Sequence, residues 1–96
     1  MLFLALCADK PDTMPLRLAT RPAHLDYLNG LGAKVRVGGA MLSEDKQTVL
    51  GSVLIFEAET EAEVRAWLAE DLYAKAGLFA SVEVRPFRQA VGVSLS

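Results

Sequence analysis

The apolar residues of the chain follow two kinds of spacing that alternate along its length. Four short segments have apolar residues that are either continuous or alternate with polar ones, which is typical of strands. These segments are residues 2–8, 33–39, 49–58 and 78–87. In the first and third segments both sides of the pleat are apolar, so both faces of the predicted sheet need to be covered.

A helix is predicted between the first two strands, where the apolar residues recur at helical spacing. Thr13 is its candidate N-cap, and Gly30 and Gly32 end it. Pro22 lies inside this helical stretch and lacks a backbone donor, so we expect a kink or a break there. Thr20 would then cap the second part of the helix.

A second helix is predicted to begin at residues 60–63, whose sequence TEAE has the form of a capping box. The apolar stripe of this helix contains Val64, Trp67 and Leu68. Residues 72–77 are predicted to be a turn that leads into the last strand.

The resulting order, strand–helix–strand–strand–helix–strand, predicts an α+β chain with the ferredoxin-like βαββαβ fold. Two helices then cover one face of a four-stranded antiparallel sheet and leave the second apolar face open. A homodimer that pairs the open faces is the simplest way to cover them, because two-fold pairing buries the same patch on both chains. The tail, residues 89–96, is expected to add a short strand or to cross to the partner. We expect residues 1–96 to form a single domain.

Composition and charge narrow the choice of partners. Apolar residues make up 52% of the chain, and its formal net charge is −2 without a basic cluster, which argues against nucleic acid. The N-terminal apolar run is too short for a membrane span and lacks the features of a signal peptide, so a cytoplasmic protein is expected. One cysteine and one histidine exclude an internal disulfide and a multi-ligand zinc site. We therefore expect a small-molecule or protein partner, no metal and no cofactor, and we interpret Cys7 as a packing residue.

Ionisable residues occupy positions that are predicted to face the core. Arg17, Arg21 and His24 fall among apolar residues when the first helix is drawn as an ideal helix. The apolar residues predicted on this side are Met14, Leu18, Leu25, Leu28 and Leu31. Asp71 extends the apolar stripe of the second helix and lies at its carboxyl end, where a negative charge is disfavoured. Burial of such groups is costly unless a cleft or a partner receives them, so these positions point to a site.

His24 and Asp71 are predicted to lie on neighbouring helices. A hydrogen bond between them would fix the imidazole ring and favour its charged form, and a histidine is suited to remove a proton from a phenol or an activated C–H group. The alternative is a buried structural pair that ties the two helices together.

The two arginines are one helical turn apart. Arg17 and Arg21 are able to hold a carboxylate or phenolate by bidentate hydrogen bonds. Alternatively, they form ordinary ion pairs with Asp9, Asp12 or Asp71, with their stems along the apolar surface.

Other polar candidates are less specific. Ser43 and Ser52 either offer hydroxyl groups to a pocket or are simply turn and strand residues, and Tyr73 is either a pocket wall or part of the core. The sequence has no serine elbow motif, and Cys7 has no basic neighbour, so nucleophilic catalysis lacks support.

Four motifs resemble those of the YciI-like proteins, a family of dimeric α+β barrel proteins. The resemblance covers about residues 2–88. The motifs are Arg17-x₃-Arg21-Pro22-Ala23-His24-Leu25-x₂-Leu28, Gly39-Ala40-Met41-Leu42, Gly51-Ser52 and Asp71-Leu72-Tyr73-x-Lys75-Ala76-Gly77-Leu78-Phe79. The family usually has proline where this chain has Ala40 and Leu72, and the second change affects the turn that aims the aspartate.

The resemblance implies a dimeric α+β barrel with a histidine–aspartate acid/base pair in a pocket, here His24 and Asp71. Dehydrochlorination of a chlorinated hydroxyhydroquinone is an activity of the family, and related barrels include muconolactone isomerases. We therefore interpret the chain as a cofactor-independent lyase or isomerase for a small acidic or aromatic metabolite, with Arg21 holding the substrate anion. The further candidates for substrate binding are Arg17, Ser43 and Tyr73.

Two further expectations concern the same pocket. A non-catalytic module that binds a small molecule is the alternative function, because a fold does not determine an activity. A second subunit is expected to help to enclose the pocket.

Overall fold

The computed structural model describes residues 1–95, which form one four-stranded sheet with helices on one of its faces. The strands are β1 (Leu2–Asp9), β2 (Val35–Leu42), β3 (Val49–Glu57) and β4 (Phe79–Phe87). The helices are α1 (Met14–Leu31), α2 (Glu61–Glu70) and the short α3 (Leu72–Lys75), and a 3₁₀ turn covers Gly32–Lys34.

The sheet has the strand order β2-β3-β1-β4, and all of its strand pairs are antiparallel. This is the order of the ferredoxin-like α+β fold, so the predicted fold class is confirmed. β4 is an edge strand, which is where a strand tolerates Pro86 without losing a ladder hydrogen bond.

The core lies between the helices and one face of the sheet. Alternate side chains of the two central strands are buried there against α2, in keeping with the two-residue period of a strand. The main contributors are Phe3, Ala5, Cys7, Leu54, Phe56, Val64, Leu68 and Val84. Cys7 is fully buried, and this burial is the largest cause that raises its pKa to about 12, so it is a neutral packing residue as predicted.

The opposite face of the sheet is also apolar, as the strand pattern predicts. Leu4 pairs with Ile55 and Leu6 pairs with Val53, and these four side chains point away from the helices. They are only half-buried within this chain.

The helix α1 differs from the prediction in three respects. It runs without a break through Pro22, and the Thr20 hydroxyl donates to the Leu16 carbonyl instead of capping a second segment. The carbonyl of Leu18 loses its helical donor to the proline, but both residues are exposed, so this unpaired group does not lie in the core. Thr13 precedes the helix without a capping hydrogen bond from its side chain, whose hydroxyl donates to the carbonyl of residue 10.

The connection from α2 to β4 also differs from the prediction. Residues 72–75, predicted to be part of a turn, form the short helix α3, and Asp71 is its N-cap. At the start of α2, the Thr60 hydroxyl accepts from the Glu63 amide as in a capping box, whereas the Glu63 carboxylate accepts from the Glu59 amide.

The tail forms no strand within residues 89–95, which overturns the expectation of an extra strand there. The Gln89 side chain accepts from the Leu95 amide and donates to the Val91 and Val93 carbonyls. Ser96, the last residue of the predicted tail, lies outside the described residues.

Candidate active site

A cavity of about 490 Å³, here called the α1–β2 cavity, lies between α1 and the helix-facing side of β2 and β3. Its polar lining residues are Arg17, Arg21, His24, Asn29, Ser52 and Tyr73. Two cavities of about 590 and 670 Å³ lie at the tail and at the connection between β1 and α1, and neither is lined by His24 or Asp71. The chemistry of its lining, rather than its size, therefore makes the α1–β2 cavity the candidate site.

His24 lines this cavity and is paired with Asp71, which does not line the cavity and lies buried behind the histidine. His24 Nδ1 lies 2.7 Å from Asp71 Oδ1 and 3.0 Å from Oδ2. His24 is 6% exposed and Asp71 is completely buried. Because an ionised carboxylate only accepts hydrogen bonds, Nδ1 carries a proton and donates it, which leaves Nε2 as the ring nitrogen for another partner.

Asp71 is held by a second hydrogen bond, since its Oδ1 also accepts from the Tyr73 amide at 3.0 Å. The residue follows the last turn of α2 and begins α3. The expectation that its charge opposes a helix dipole is therefore corrected, because a carboxylate at the N-terminus of a helix is favourable.

Tyr73 lies between the histidine and an arginine. Its ring stacks on the His24 ring with a centroid separation of 3.8 Å and an interplanar angle of 18°. The guanidinium carbon of Arg17 lies 4.7 Å from the centroid of the Tyr73 ring, in cation–π geometry. Burial raises the pKa of Tyr73, with Arg17 and Arg21 opposing the change, so the side chain is a neutral phenol near neutral pH.

Arg17 is tied into the protein, as in the ion-pair alternative. Its Nη1 donates to both carboxylate oxygens of Asp9, at 3.0 and 2.8 Å, and its Nη2 donates to Ser52 Oγ at 2.8 Å. Arg17 is 6% exposed. Its charge contributes to the cavity from a fixed position, and it is not a free arm that closes on a ligand.

Arg21 has the opposite character. It lines the cavity, is exposed to solvent, and forms no hydrogen bond or ion pair with any residue in the range 1–95. An unpaired guanidinium at the mouth of an apolar cavity is suited to bind a carboxylate or phenolate.

The two serine candidates separate clearly. Ser43 lies in the connection between β2 and β3, where its hydroxyl donates to Asp45 and accepts from the Thr48 amide, and it does not line the cavity. Ser52 does line the cavity, next to Arg17. Its position on the helix-facing side of β3, in step with the buried Leu54, is the signal that distinguishes it from a turn serine.

The sequence suggests Asp9 as one of three possible ion-pair partners of the arginines. In the structure its side chain anchors Arg17 beneath the cavity. The position of Asp9 directly after the apolar run of β1 offered a signal, because a carboxylate at the end of a buried strand needs a buried partner.

Leu18 and Leu25 do not pack in the core as predicted. They are 61% and 37% exposed, and both line the cavity. The cavity lies between α1 and the outer strand β2, so these two leucines form part of its apolar rim.

The cavity lies on the helix side of the sheet, where residues of α1, α3, β2 and β3 line it. A partner on the opposite, open face would not contribute to these walls. A partner that packs on the open face alone would therefore not enclose the pocket, and enclosure by a second subunit stays a prediction.

Residues 1–95 contain neither a cluster of metal ligands nor a helix able to span a membrane. No group of three or more His, Cys, Asp or Glu side chains in this range is arranged to hold a metal ion. None of the helices in the same range is both long and apolar enough to cross a membrane.

A solved structure with similar sequence and fold is 5-chloro-2-hydroxyhydroquinone dehydrochlorinase (TftG) from Burkholderia phenoliruptrix AC1100, in complex with 2,5-dihydroxybenzoquinone. It is 39% identical, with a TM-score of 0.85, and the match covers 94% of this chain and 96% of that chain. Rv0793 from Mycobacterium tuberculosis, at 15% identity, a TM-score of 0.56 and coverage of 94% and 97%, shares the fold alone.

Comparison of sequences gives the family. Protein YciI from Escherichia coli O6:H1 is 34% identical over 96 residues, which cover 93% of this chain and 98% of that protein. An uncharacterized protein from Haemophilus influenzae is 32% identical with the same coverage. Residues 1–88 match the family model of the YCII-related domain. The chain therefore belongs to the family of YCII-related domain proteins.

Proposed function

We propose that this protein is a cofactor-independent lyase or isomerase that moves a proton on a small acidic aromatic or quinone-like molecule. The hydrogen bond between His24 and Asp71 at the wall of the α1–β2 cavity is the observation that carries the proposal. The likeness to the dehydrochlorinase supports the choice of substrate class.

His24 is the acid/base group in this proposal. Its Nδ1–H is held by Asp71, so Nε2 accepts a proton from a hydroxyl or an activated C–H group of the substrate. The Asp71 carboxylate stabilises the imidazolium that forms, and the stacked Tyr73 ring fixes the plane of the imidazole. For an isomerisation, the proton then returns to another atom of the substrate. For an elimination, the C–Cl bond breaks with its electron pair on chloride, the pair left behind by the removed proton forms a new double bond, and His24 passes the proton to water.

Arg21 binds the negative charge of the substrate. The exposed guanidinium has no partner within residues 1–95, so binding of an anion does not require an existing ion pair to break. Arg17 adds a fixed positive charge, and its partner Ser52 presents a hydroxyl group at the cavity.

The test is anaerobic incubation of the protein with 5-chloro-2-hydroxyhydroquinone, with release of chloride as the measured quantity. We expect turnover, and a loss of roughly a hundredfold or more in rate for His24→Gln, which removes the proton carrier. The control is Asp26→Asn on the exposed side of α1. Absence of chloride release from the unmodified protein would refute the dehydrochlorination, and equal rates for the unmodified protein and His24→Gln would refute the role of His24.

A non-catalytic binding module is the second candidate, and one observation favours it. His24 is held on one side by Asp71 and on a ring face by Tyr73, as in a purely structural pair. An NMR titration of His24 with 2,5-dihydroxybenzoquinone separates the two cases. A ligand that changes the titration of His24, in a protein that converts no related compound, indicates a sensor.

The open face of the sheet is proposed to pair with a second copy of the chain. Leu4, Leu6, Val53 and Ile55 form an apolar patch on this face. A two-fold axis through this patch would bury it on both chains and leave the α1–β2 cavity of each chain unobstructed.

A further inference from the structure

The outer strand β2 presents very small side chains to the α1–β2 cavity. Gly38 pairs with Leu54 and Ala40 pairs with Ser52, and both partners are buried on the helix-facing side of β3. Directly opposed residues of an antiparallel pair share a face, so Gly38 and Ala40 lie on the cavity side of the sheet. Both of them line the cavity.

The lack of room for a side chain, and not a special backbone conformation, explains why glycine occupies position 38. Gly38 does not belong to the glycines with positive φ in the described chain. A Cβ atom at this position would lie 3.1 Å from Leu54 Cδ2, which is closer than an ordinary contact. A side chain at position 38 would therefore either displace Leu54 or occupy the cavity.

The opposite wall of the cavity is formed by leucines of α1. Leu18, Leu25 and Leu28 line this wall, and the ionisable groups His24 and Arg21 belong to the same helix. The cavity is thus bounded on one side by a strand with very small side chains and on the other side by the apolar side chains of α1. A volume of about 490 Å³ lies near the small end of the usual range for ligand sites, about 300–1,000 Å³.

We propose that Gly38 and Ala40 determine the size of the ring that this cavity admits, and that the ligand is a single planar ring with an acidic hydroxyl group. This inference rests on the proposed function for the identity of the anion site. A planar ring lies flat between the strand and the leucines, while its ionised oxygen reaches Arg21 and a second oxygen or carbon reaches His24. A larger side chain at position 40 would occupy the part of the cavity in which the ligand ring is proposed to lie.

The test is a calorimetric measurement of Kd for two probes, the one-ring 2,5-dihydroxybenzoquinone and the two-ring 2-hydroxy-1,4-naphthoquinone. We expect the unmodified protein to prefer the one-ring probe. Ala40→Leu should weaken binding of the one-ring probe by roughly ten- to a hundredfold, because the larger side chain fills part of the α1–β2 cavity. Ala40→Gly removes a methyl group and creates no clash. It should improve binding of the two-ring probe and so reduce the difference between the Kd values of the two probes.

Gly39→Ala is the matched control. The backbone of Gly39 borders the cavity, but Gly39 pairs with Val53, so a methyl group added there points to the opposite face of the strand, where it has no neighbour within 4 Å in this chain. This variant should leave both Kd values unchanged.

Three results would overturn the inference. They are unchanged Kd values in both Ala40 variants, equal affinity of the unmodified protein for the two probes, and no binding of either probe. Because binding is measured without turnover, these results are distinct from failure of the acid/base role. If the Kd values change with the side chain at position 40 but the protein releases no chloride, this inference stands and only the proposed catalysis is refuted.

Discussion

At the scale of single residues, the buried charges of the site are matched one by one. Arg17 is paired with Asp9, and His24 is paired with Asp71. Within residues 1–95 no buried side-chain nitrogen or oxygen lacks a hydrogen-bond partner. Burial of these groups is therefore tolerated because each has a partner, whereas the removal of one member would leave an unpaired buried charge.

Cys7 gives a pH-dependent prediction at this scale. Burial is the largest cause that raises its pKa from 9.0 to about 12, with Asp71 and Asp9 adding to the effect. Between these values the unfolded chain releases the thiol proton and the folded chain retains it, so the free energy of unfolding falls as the pH rises. From about pH 8 to about pH 10 this group removes roughly 1 kcal/mol of stability.

The measurement is urea unfolding of the unmodified protein and of Cys7→Ala at both pH values. The variant lacks this titration, so its stability should fall by roughly 1 kcal/mol less than that of the unmodified protein over the same interval. Parallel loss of stability in the two proteins would contradict the raised pKa of Cys7.

At the scale of elements, the junction of α2 and α3 decides where the Asp71 carboxylate points. Asp71 has φ −60° and ψ 135°, an extended conformation that ends one helix and begins the next. This is also the conformation that a following proline would impose. Leu72 in place of the family's usual proline therefore does not disturb the aim of Asp71, because its hydrogen bonds to the Tyr73 amide and His24 hold the same geometry.

The junction predicts an order of stability for two substitutions of Asp71. Asp71→Ala removes the acceptor of both the Tyr73 amide and His24 Nδ1, and each buried donor left unpaired costs about 1–3 kcal/mol. Asp71→Asn retains an oxygen that caps α3, so it should lose less stability. Urea unfolding measures both differences, and an Asn variant as unstable as the Ala variant would show that charge, not capping, holds the junction.

At the scale of the whole molecule, the sheet has two apolar faces and the described helices cover one of them. The open face is bordered on β4 by polar residues, with Glu83 opposite Leu6 and Arg85 opposite Leu4. A central apolar patch with a polar rim is the usual anatomy of a protein interface.

The patch predicts a change of oligomeric state. Ile55→Lys places a charge at the centre of the proposed interface without touching the core, so sedimentation should change from a dimer to a monomer. Glu83→Gln, at the polar border of the same face, is the control and should remain dimeric. A monomeric unmodified protein would disprove the pairing, and a dimeric Ile55→Lys variant would place the interface elsewhere.

Much of the molecule was predictable because its determinants are local. Strand periodicity, the capping sequence at Thr60 and the order of elements lead directly to the observed sheet order. A break at Pro22 and a turn over residues 72–75 were predicted but do not occur, and the two errors have a common reason. A proline on the exposed side of a helix and a side-chain cap shared between two helices both depend on surroundings that a short stretch of sequence does not contain.

The sequence by itself determined the fold and marked His24 and Asp71 as candidates, because an ionisable residue within an apolar stripe is visible without coordinates. Only the tertiary structure decided how the candidates are used. Arg17 is bound to Asp9 and Ser52, Arg21 is free within the described chain, and Ser43 is remote from the cavity. The physical reason is that periodicity fixes which way a side chain points, whereas its hydrogen-bond partners come from segments that only the folded sheet brings together.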